Sequence, residues 1–581
     1  MYADYEIREV PIGYAPARRK VEQFLGERTL RLDKVDYYEA IYPYGGDEIL
    51  GAGGLLKDAI RCIAVKEGME DEHLANRLVS HLMVIVQRRG YPTVKVFTKP
   101  CNKTIFESLA FELVAETDSV VFMENSLVPL HDYLHSLEKL RKPGKSGVIV
   151  MNCNPFTRGH HYLIEEAAKQ VDNLYIIPLK EGNGKFTYEE RREMICLGTA
   201  DIENVTVCEG SDYAISQATF PTYFLKQLDK ASENQIELDL QIFARYIAPA
   251  LGATVRFVGT EPIDPLTRRY NEMMAEQLPA HGIEVRQLER KQFDGEPISA
   301  SRTRSFIESN KMHAAMQLVP PTTQPFVLAK FAVDALQQEL DTTPKPGLVD
   351  KDNNGAHSDM DYILMQRSIN ALRPYFVQLA QLGMNSDKLA TADIQRIGIE
   401  AEKAMLETTH GVNTHKGALF ALGITVAAAM WIYSHEGWIV TRESLQQLIS
   451  RIASGFEPAK GTHGAEVKAK DHVKGARENA IEGYPDLFET WGPFYRRLRD
   501  DRHRHHKTLL KIMSMLQDTN VYHRTDAETA ELVRQSSGML LERFSVSALR
   551  DADAEFIRHN ISPGGCADML SLTILINAIL K

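Results

Sequence analysis

One stretch divides this chain of 581 residues: Leu318-Val319-Pro320-Pro321-Thr322-Thr323-Gln324-Pro325. Each proline fixes φ and removes an N–H donor, so neither a helix interior nor a sheet ladder runs through such a segment. Before it, short apolar runs alternate with helical stripes. Beyond it almost no strand signal remains. The chain therefore reads as a sheet-containing half followed by a helical half.

In the first half, residues 60–65 and 94–98 are strand-like. Residues 74–88 carry Leu74, Leu78, Leu82 and Ile85 on one helical face. Residues 131–146 are polar, with Pro143 and Gly144 near the end, and predict a linker helix and turn. A βα unit follows: an apolar strand at 147–151, a loop at 152–159, a helix at 160–170 and a strand at 174–179. The alternation continues to 255–258 and 283–285, which predicts a parallel sheet with helices on both faces. In the second half, residues 326–340, 360–382, 393–407, 417–433 and 509–516 predict helices. The fold class is thus multidomain: an α+β domain over 1–130, an α/β domain over 131–325 and an all-α domain over 326–581. No internal repeat is visible.

The formal net charge is −11, which argues against a dedicated nucleic-acid binder, since such a protein needs a cationic face to displace counterions. Six cysteines without a CxxC pair read as thiols of a reducing cytoplasm. The acidic N-terminus is not that of a signal peptide. The apolar stretch 417–433 is at the short end of what spans a membrane and follows a polar motif directly, so it predicts a buried core helix and no membrane partner. The run Arg502-His503-Arg504-His505-His506-Lys507 predicts a solvated helix face rather than a metal site, because no acidic or cysteine ligand sits beside it.

Two constellations carry chemistry. In the first, Asn154-Pro155-Phe156-Thr157-Arg158-Gly159-His160 lies between a strand and a helix. Small turn residues there let backbone N–H groups approach an anion at a helix N-terminus, and His160 can reach a phosphate. Near the end of the same domain, Ile298-Ser299-Ala300-Ser301-Arg302-Thr303-Arg304 offers hydroxyls and two guanidiniums suited to phosphate oxygens. TxGH after the first strand with ISxSxxR after the last resembles the nucleotidylyltransferase superfamily, which has a Rossmann-like fold. The flanking residues 152–163, Phe186 to Ile195 with Arg191 and Arg192, and Val258-Gly259-Thr260-Glu261-Pro262 are similar to citrate lyase ligase over about residues 1–325.

That resemblance implies that ATP and acetate form acetyl-adenylate and pyrophosphate, and that the acetyl group passes to a thiol on the citrate lyase acyl-carrier subunit. It implies that Thr157 and His160 act on the phosphates as catalytic groups, beside Asn154, Phe156 and Gly159. Ser299, Ser301, Arg302 and Arg304 would hold the pyrophosphate side, with Arg191 a further phosphate ligand. Mg2+ would ride on the triphosphate, held mostly by phosphate oxygens and water. The first domain resembles a GNAT-type acetyltransferase through Gly51-Ala52-Gly53-Gly54-Leu55 and the segment 102–111. Its loop Lys66-Glu67-Gly68-Met69-Glu70-Asp71-Glu72-His73 is acidic with one glycine and should repel coenzyme A phosphates, which favours docking or carrier recognition over acetyl transfer.

The second constellation is five polar loops in the helical half: Thr343 to Asp350 with Lys345; Asn353 to Met360 with His357 and Asp359; Thr409 to Gly417 with His410, His415 and Lys416; Gly461-Thr462-His463-Gly464; and Ser562 to Asp568 with Gly564 and Gly565. Glycine permits close backbone approach, lysine and helix N-termini suit a triphosphate, and aspartate suits magnesium or a general base. The set resembles triphosphoribosyl-dephospho-coenzyme A synthase over about residues 326–581. That resemblance implies that 3′-dephospho-coenzyme A replaces the adenine of ATP. A carboxylate must then stabilise the ribose cation or deprotonate the incoming hydroxyl; Asp350, Asp359 and Asp568 are candidates, unranked. Lys345 and Lys416 would hold triphosphate oxygens. His357, His410, His415 and His463 would bind phosphate or act as an acid for adenine. The competing readings are a mononucleotide adenylyltransferase in the first half, or one half serving as a scaffold for the lyase carrier subunit.

Overall fold

The computed structural model describes residues 5–69, 73–180, 184–214, 229–262, 264–437, 439–457 and 473–580. They form two compact units, 1–298 and 299–581.

The first unit opens with β1 (Tyr5–Glu9), α1 (Ala15–Gly26), β2 (Tyr37–Pro43), β3 (Gly51–Leu56), β4 (Ala59–Val65), α2 (Leu74–Arg88), β5 (Lys95–Thr98), α3 (Lys103–Ser108), β6 (Glu112–Glu116), β7 (Val121–Glu124) and α4 (Val128–Glu138). The seven strands form one sheet in the order β1-β2-β3-β4-β5-β7-β6. Only the β4–β5 pair is parallel. A Cβ on Gly54 would lie 2.4 Å from the Tyr38 ring, so β3 passes β2 closely only because this residue is glycine. Three of the four residues of the predicted α2 stripe are buried, Leu74, Leu78 and Leu82 packing with Ile41, Leu55, Ile60 and Val96, while Ile85 is half-buried at its edge.

A second sheet follows, from β8 (Ser146–Met151), α5 (Arg158–Ala168), β9 (Asn173–Pro178), α6 (Tyr188–Gly198), β10 (Val205–Val207), α7 (Asp229–Ile242), α8 (Ala248–Leu251), β11 (Ala253–Gly259), α9 (Pro265–Gln277) and β12 (Glu284–Leu288). Its order is β10-β9-β8-β11-β12 and every pairing is parallel. The order reverses between β8 and β11. In open α/β sheets the crevice beyond the strand C-termini at such a reversal is where ligands bind. One core joins the two sheets, running from Ala52, Phe97 and Phe122 through Leu130 and Leu137 to Val148 and Tyr175.

A charged cluster lies within this unit. Lys95 pairs with Asp58 (2.9 Å) and Asp212 (3.4 Å). Tyr213 donates to fully buried Glu124 (3.0 Å), whose other carboxylate oxygen has no hydrogen-bond partner among the described residues. Burial pushes the Glu124 carboxyl up to about 7, against the pull of Lys95. A carboxyl raised on folding favours the folded state below its unfolded pKa, and that contribution is lost as pH rises through about 7. Between pH 5 and 7.5, wild type should therefore lose roughly 2 kcal/mol relative to Glu124→Gln. The check is the denaturant transition seen by circular dichroism but not by tryptophan fluorescence, since Trp431, Trp438 and Trp491 all lie in the second unit. Equal pH slopes would contradict it.

The second unit has no strand among its described residues. Its helices are α10 (Ala300–Glu308), α11 (Met312–Gln317), α12 (Gln324–Asp341), α13 (Tyr362–Asn385), α14 (Thr391–Thr408), α15 (Lys416–His435), α16 (Arg442–Ser454), α17 (Ala476–Ile481), α18 (Gly492–Arg497), α19 (Arg504–Met513), α20 (Thr519–Arg524), α21 (Ala527–Glu542), α22 (Val546–Arg558) and α23 (Gly564–Ile579). α15 is apolar on all sides and long enough to cross a membrane, but 78% of its apolar window is buried among the other helices. α12, α13, α16 and α23 pack around it. The basic run at 502–507 departs from its expected solvated face. The His505 ring stacks on Tyr495 (centroids 5.8 Å), and Arg504 lies 3.3 Å over the same tyrosine ring. Burial drives His505 down to about 4, because the run starts α19 where it packs on α18.

Candidate active sites

In the first unit, β8 ends at Met151 and the chain turns through Asn152 to Phe156 into α5. Thr157 is the N-cap, with extended backbone. Its Oγ1 accepts from the His160 backbone N–H (3.3 Å), and its own backbone N–H donates to His160 Nδ1 (3.0 Å). This reciprocal box is worth about 1 kcal/mol to the helix. It also fixes the imidazole. A nitrogen that accepts from a backbone N–H carries no proton, so in the neutral ring the proton is on Nε2. Phe156, fully buried, supports the ring at 5.9 Å between centroids. A Cβ on Gly159 would sit 2.9 Å from the Ile298 carbonyl oxygen, which explains glycine in the first turn.

The loop is braced from below. Asn154 accepts from the Phe186 backbone N–H (3.3 Å). Arg191 is completely buried; its Nη1 donates to the Asn152 carbonyl (2.7 Å), the Asn152 side chain (2.8 Å) and the Leu179 carbonyl (2.8 Å). This guanidinium ties the ends of β8 and β9 together. At the β11 end, Asn271 donates to the Gly259 carbonyl (3.0 Å) and Arg290 pairs with Glu261. Thr260, Glu261, Arg268, Asn271 and Arg290 line a cavity of about 500 Å3 there.

In the second unit, Ser299 caps α10 by accepting from the Arg302 N–H (3.1 Å), with the Ser301 hydroxyl 3.0 Å away. Arg302 lies over Phe306. Arg304 is on the same short helix.

The loop after α12 is built around two carboxylates. Asp350, buried, accepts from the backbone N–H groups of Lys345 (2.8 Å), Asp352 (2.8 Å) and Asn353 (3.2 Å). Burial pushes its carboxyl up, and those N–H bonds pull the other way. Asp553, on α22, accepts from Gly347 N–H (2.9 Å) and the Asn353 amide (2.7 Å). Gly347 has φ +71, and a Cβ there would fall 2.1 Å from the Ile561 carbonyl oxygen. Lys345 is 1% exposed and pairs with buried Glu339.

His357 bonds Ser562 through Nε2 (2.8 Å), and Arg524 approaches its Nδ1 (3.4 Å). Burial and then Arg524 lower its pKa, so the ring is neutral. Asp359 is 60% exposed at 3.8 Å from the same histidine. His415 is buried with Nδ1 2.9 Å from Ser368 Oγ and Nε2 unpartnered among the described residues; burial, then Lys345, hold it down to about 3. Lys416 starts α15 and pairs with Glu402 (2.6 Å). His410 is an exposed left-handed residue (φ 56) after α14. His463 lies outside the described residues.

Gly564 and Gly565 open α23, packed against Asn520 and Asp518. Asp568 follows in the same turn, and its Oδ2 is 2.1 Å from where a Gly417 Cβ would be. Asp518 accepts from the Cys566 N–H (2.8 Å). Burial, then Asp518 and Glu339, push the Asp568 carboxyl well up. Among the described residues no group of three or more histidine, cysteine or acidic side chains is set to hold a metal ion. Glu339, Asp518, Asp553 and Arg524 were not singled out from sequence. Asp553 had a signal: it interrupts the Leu549–Phe556 face of an amphipathic helix.

Phosphate-suited and acid–base groups occur in each unit, and the relatives make the chain a two-part enzyme, a ligase joined to a transferase. The chain belongs to the citrate lyase ligase family in its first half and to the triphosphoribosyl-dephospho-coenzyme A synthase family in its second. The model of the citrate lyase ligase C-terminal domain matches residues 146–327, and that of the ATP:dephospho-CoA triphosphoribosyl transferase matches residues 325–581. The [citrate [pro-3S]-lyase] ligase of Klebsiella pneumoniae is 40% identical over 319 residues, 54% of this chain and 93% of that protein. The Escherichia coli ligase is also 40% identical, over 52% of this chain and 88% of its own length. The probable 2-(5″-triphosphoribosyl)-3′-dephosphocoenzyme-A synthase of Pseudomonas fluorescens is 36% identical over 46% of this chain and 97% of its own.

Proposed function

We propose that the first half condenses acetate with ATP to acetyl-adenylate, releases pyrophosphate, and passes the acetyl group to the prosthetic-group thiol of the citrate lyase acyl-carrier subunit, leaving AMP. The observation that carries this is the Thr157 backbone N–H directed at His160 Nδ1 (3.0 Å), which makes Nε2 the donor side of a ring at the N-terminus of α5, where a phosphate is favoured. Thr157 holds that ring, while Arg191 positions the loop from behind. Ser299, Ser301, Arg302 and Arg304 take the leaving pyrophosphate, whose Mg2+ is held by phosphate oxygens and water. The GNAT-like sheet domain of residues 1–130 docks the carrier, and residues 131–325 have the Rossmann-like nucleotidylyltransferase fold. Both halves work in the cytoplasm, a reading that fits six free thiols.

The second half, residues 326–581, joins 3′-dephospho-coenzyme A to the ribose of ATP and releases adenine. Asp568 stands at its reaction centre: Asp350 is engaged by three backbone N–H groups and Asp359 is largely exposed. Lys345, Lys416 and His357 lie on the triphosphate side. Purified protein with Mg-ATP should release pyrophosphate only when acetate is added. Release triggered instead by a mononucleotide would replace this reading with that of an adenylyltransferase making a dinucleotide.

A further inference from the structure

Breaking the bond between ribose C1′ and adenine N9 sends an electron pair onto the purine, and adenine leaves readily only if a proton arrives with it. The neighbourhood of Asp568 contains few groups able to bring one. His415 is neutral above about pH 3. The Tyr484 hydroxyl, buried and unpartnered among the described residues, is pushed up by burial and then by Asp568 itself. Lys345 is engaged by Glu339. No cation lies within ion-pair distance of Asp568 among the described residues.

Asp568 itself is differently placed. It sits in the first turn of α23, part-buried, with its carboxyl against the Gly417 backbone at the start of α15. Two further carboxylates, from other elements, are near enough to act on its charge. Asp518, 5% exposed, caps α20 and reaches across to the Cys566 N–H at 2.8 Å, which pins the turn that carries Asp568. Glu339, 4% exposed, comes from α12. The Ala418 N–H is the one group that favours the charged form. Glu339 is balanced by Lys345, whereas Asp518 and Asp568 have no ion-pair partner among the described residues, and two like carboxylates so placed cannot both be ionised, so a proton is retained between them.

We propose that Asp568 is the general acid of the helical half, delivering the proton that departing adenine needs, with Asp518 and Glu339 as its positioning residues. The inference rests on the transferase reading above and adds a role to it. The balance closes within the site. The C1′–N9 pair goes to adenine, which takes the Asp568 proton and leaves neutral. The hydroxyl of dephospho-coenzyme A bonds to C1′ and returns its proton to the Asp568 carboxylate. A carboxylic acid kept neutral by its surroundings is the state such a donor requires.

The test compares two leaving groups in the full chain. With ATP, Asp568→Asn should slow adenine release roughly 10²- to 10⁴-fold. With ATP methylated at purine N7, whose base departs neutral without a proton, Asp568→Asn should run within a few-fold of wild type. Equal losses on both substrates would overturn the acid assignment. Independently, Asp518→Asn should move the basic limb of the wild-type pH–rate profile to lower pH while keeping the low-pH rate; an unmoved limb would overturn its positioning role. Failure of wild type to release any adenine in the presence of dephospho-coenzyme A would instead remove the transferase reading beneath both.

Discussion

His160→Ala is expected to lower acetate-dependent pyrophosphate release roughly 10²- to 10³-fold, the cost of removing one preorganised donor from a developing oxyanion. Nδ1 accepts from the Thr157 N–H, so Nε2–H is the ring's donor, and an imidazole held this way needs little reorganisation as charge builds on the phosphate. His160→Asn should recover part of the loss, because an amide at this position can accept from the Thr157 N–H and still donate. Thr157→Val should lose the cap, about 1 kcal/mol of helix stability, and the hydroxyl 3.0 Å from Nδ1, while the backbone N–H that holds the ring stays, so kcat should fall less than in His160→Ala, with little change in KM for ATP. Steady-state pyrophosphate assays read all three. A His160→Ala enzyme within threefold of wild type would remove His160 from the chemistry.

Lys345→Met is expected to destabilise the helical unit by roughly 3–5 kcal/mol, the usual consequence of stripping one partner from a buried ion pair. Lys345 and Glu339 are both nearly inaccessible and face one another. Without the ammonium, buried Glu339 loses its ion-pair partner and keeps its like-charge repulsion with Asp568. The double substitution Lys345→Met/Glu339→Leu should recover most of the stability, since replacing a whole buried pair by apolar groups is often neutral. It should not recover adenine release, because it removes both the ammonium proposed for the triphosphate and Glu339, proposed to position Asp568. Urea unfolding followed by tryptophan fluorescence reports this unit alone. A single variant within about 1 kcal/mol of wild type would show that the pair contributes little.

Much of this architecture is legible in the chain because it is written locally. The apolar run at 147–151 and the T-x-x-H that follows specify a strand, a turn and a capped helix within about twenty residues. α2 likewise shows its buried stripe in the sequence. The edges of the seven-stranded sheet are less visible: β1 pairs with β2 across the whole of α1, and β6, although it forms a hairpin with β7, is like β1 only part buried. Arg191 shows the limit for single residues. A guanidinium near a phosphate loop reads as a ligand, yet burial and three carbonyl-type acceptors make it a brace between strand ends. The helical site depends still more on distance: Asp553 reaches back about 200 residues to the Gly347 loop, and Asp518 reaches forward to Cys566. A lone aspartate on a helix carries no mark of the loop it will hold. The histidines of the 502–507 run turn inward for the same reason, because Tyr495, on a neighbouring helix, supplies a partner that composition does not show.

The most direct test of a fused, bifunctional enzyme is to incubate the purified chain with Mg-ATP and 3′-dephospho-coenzyme A and follow free adenine by chromatography. The account predicts adenine only when dephospho-coenzyme A is present, in step with loss of ATP. A folded protein that binds ATP and releases no adenine under these conditions would contradict it.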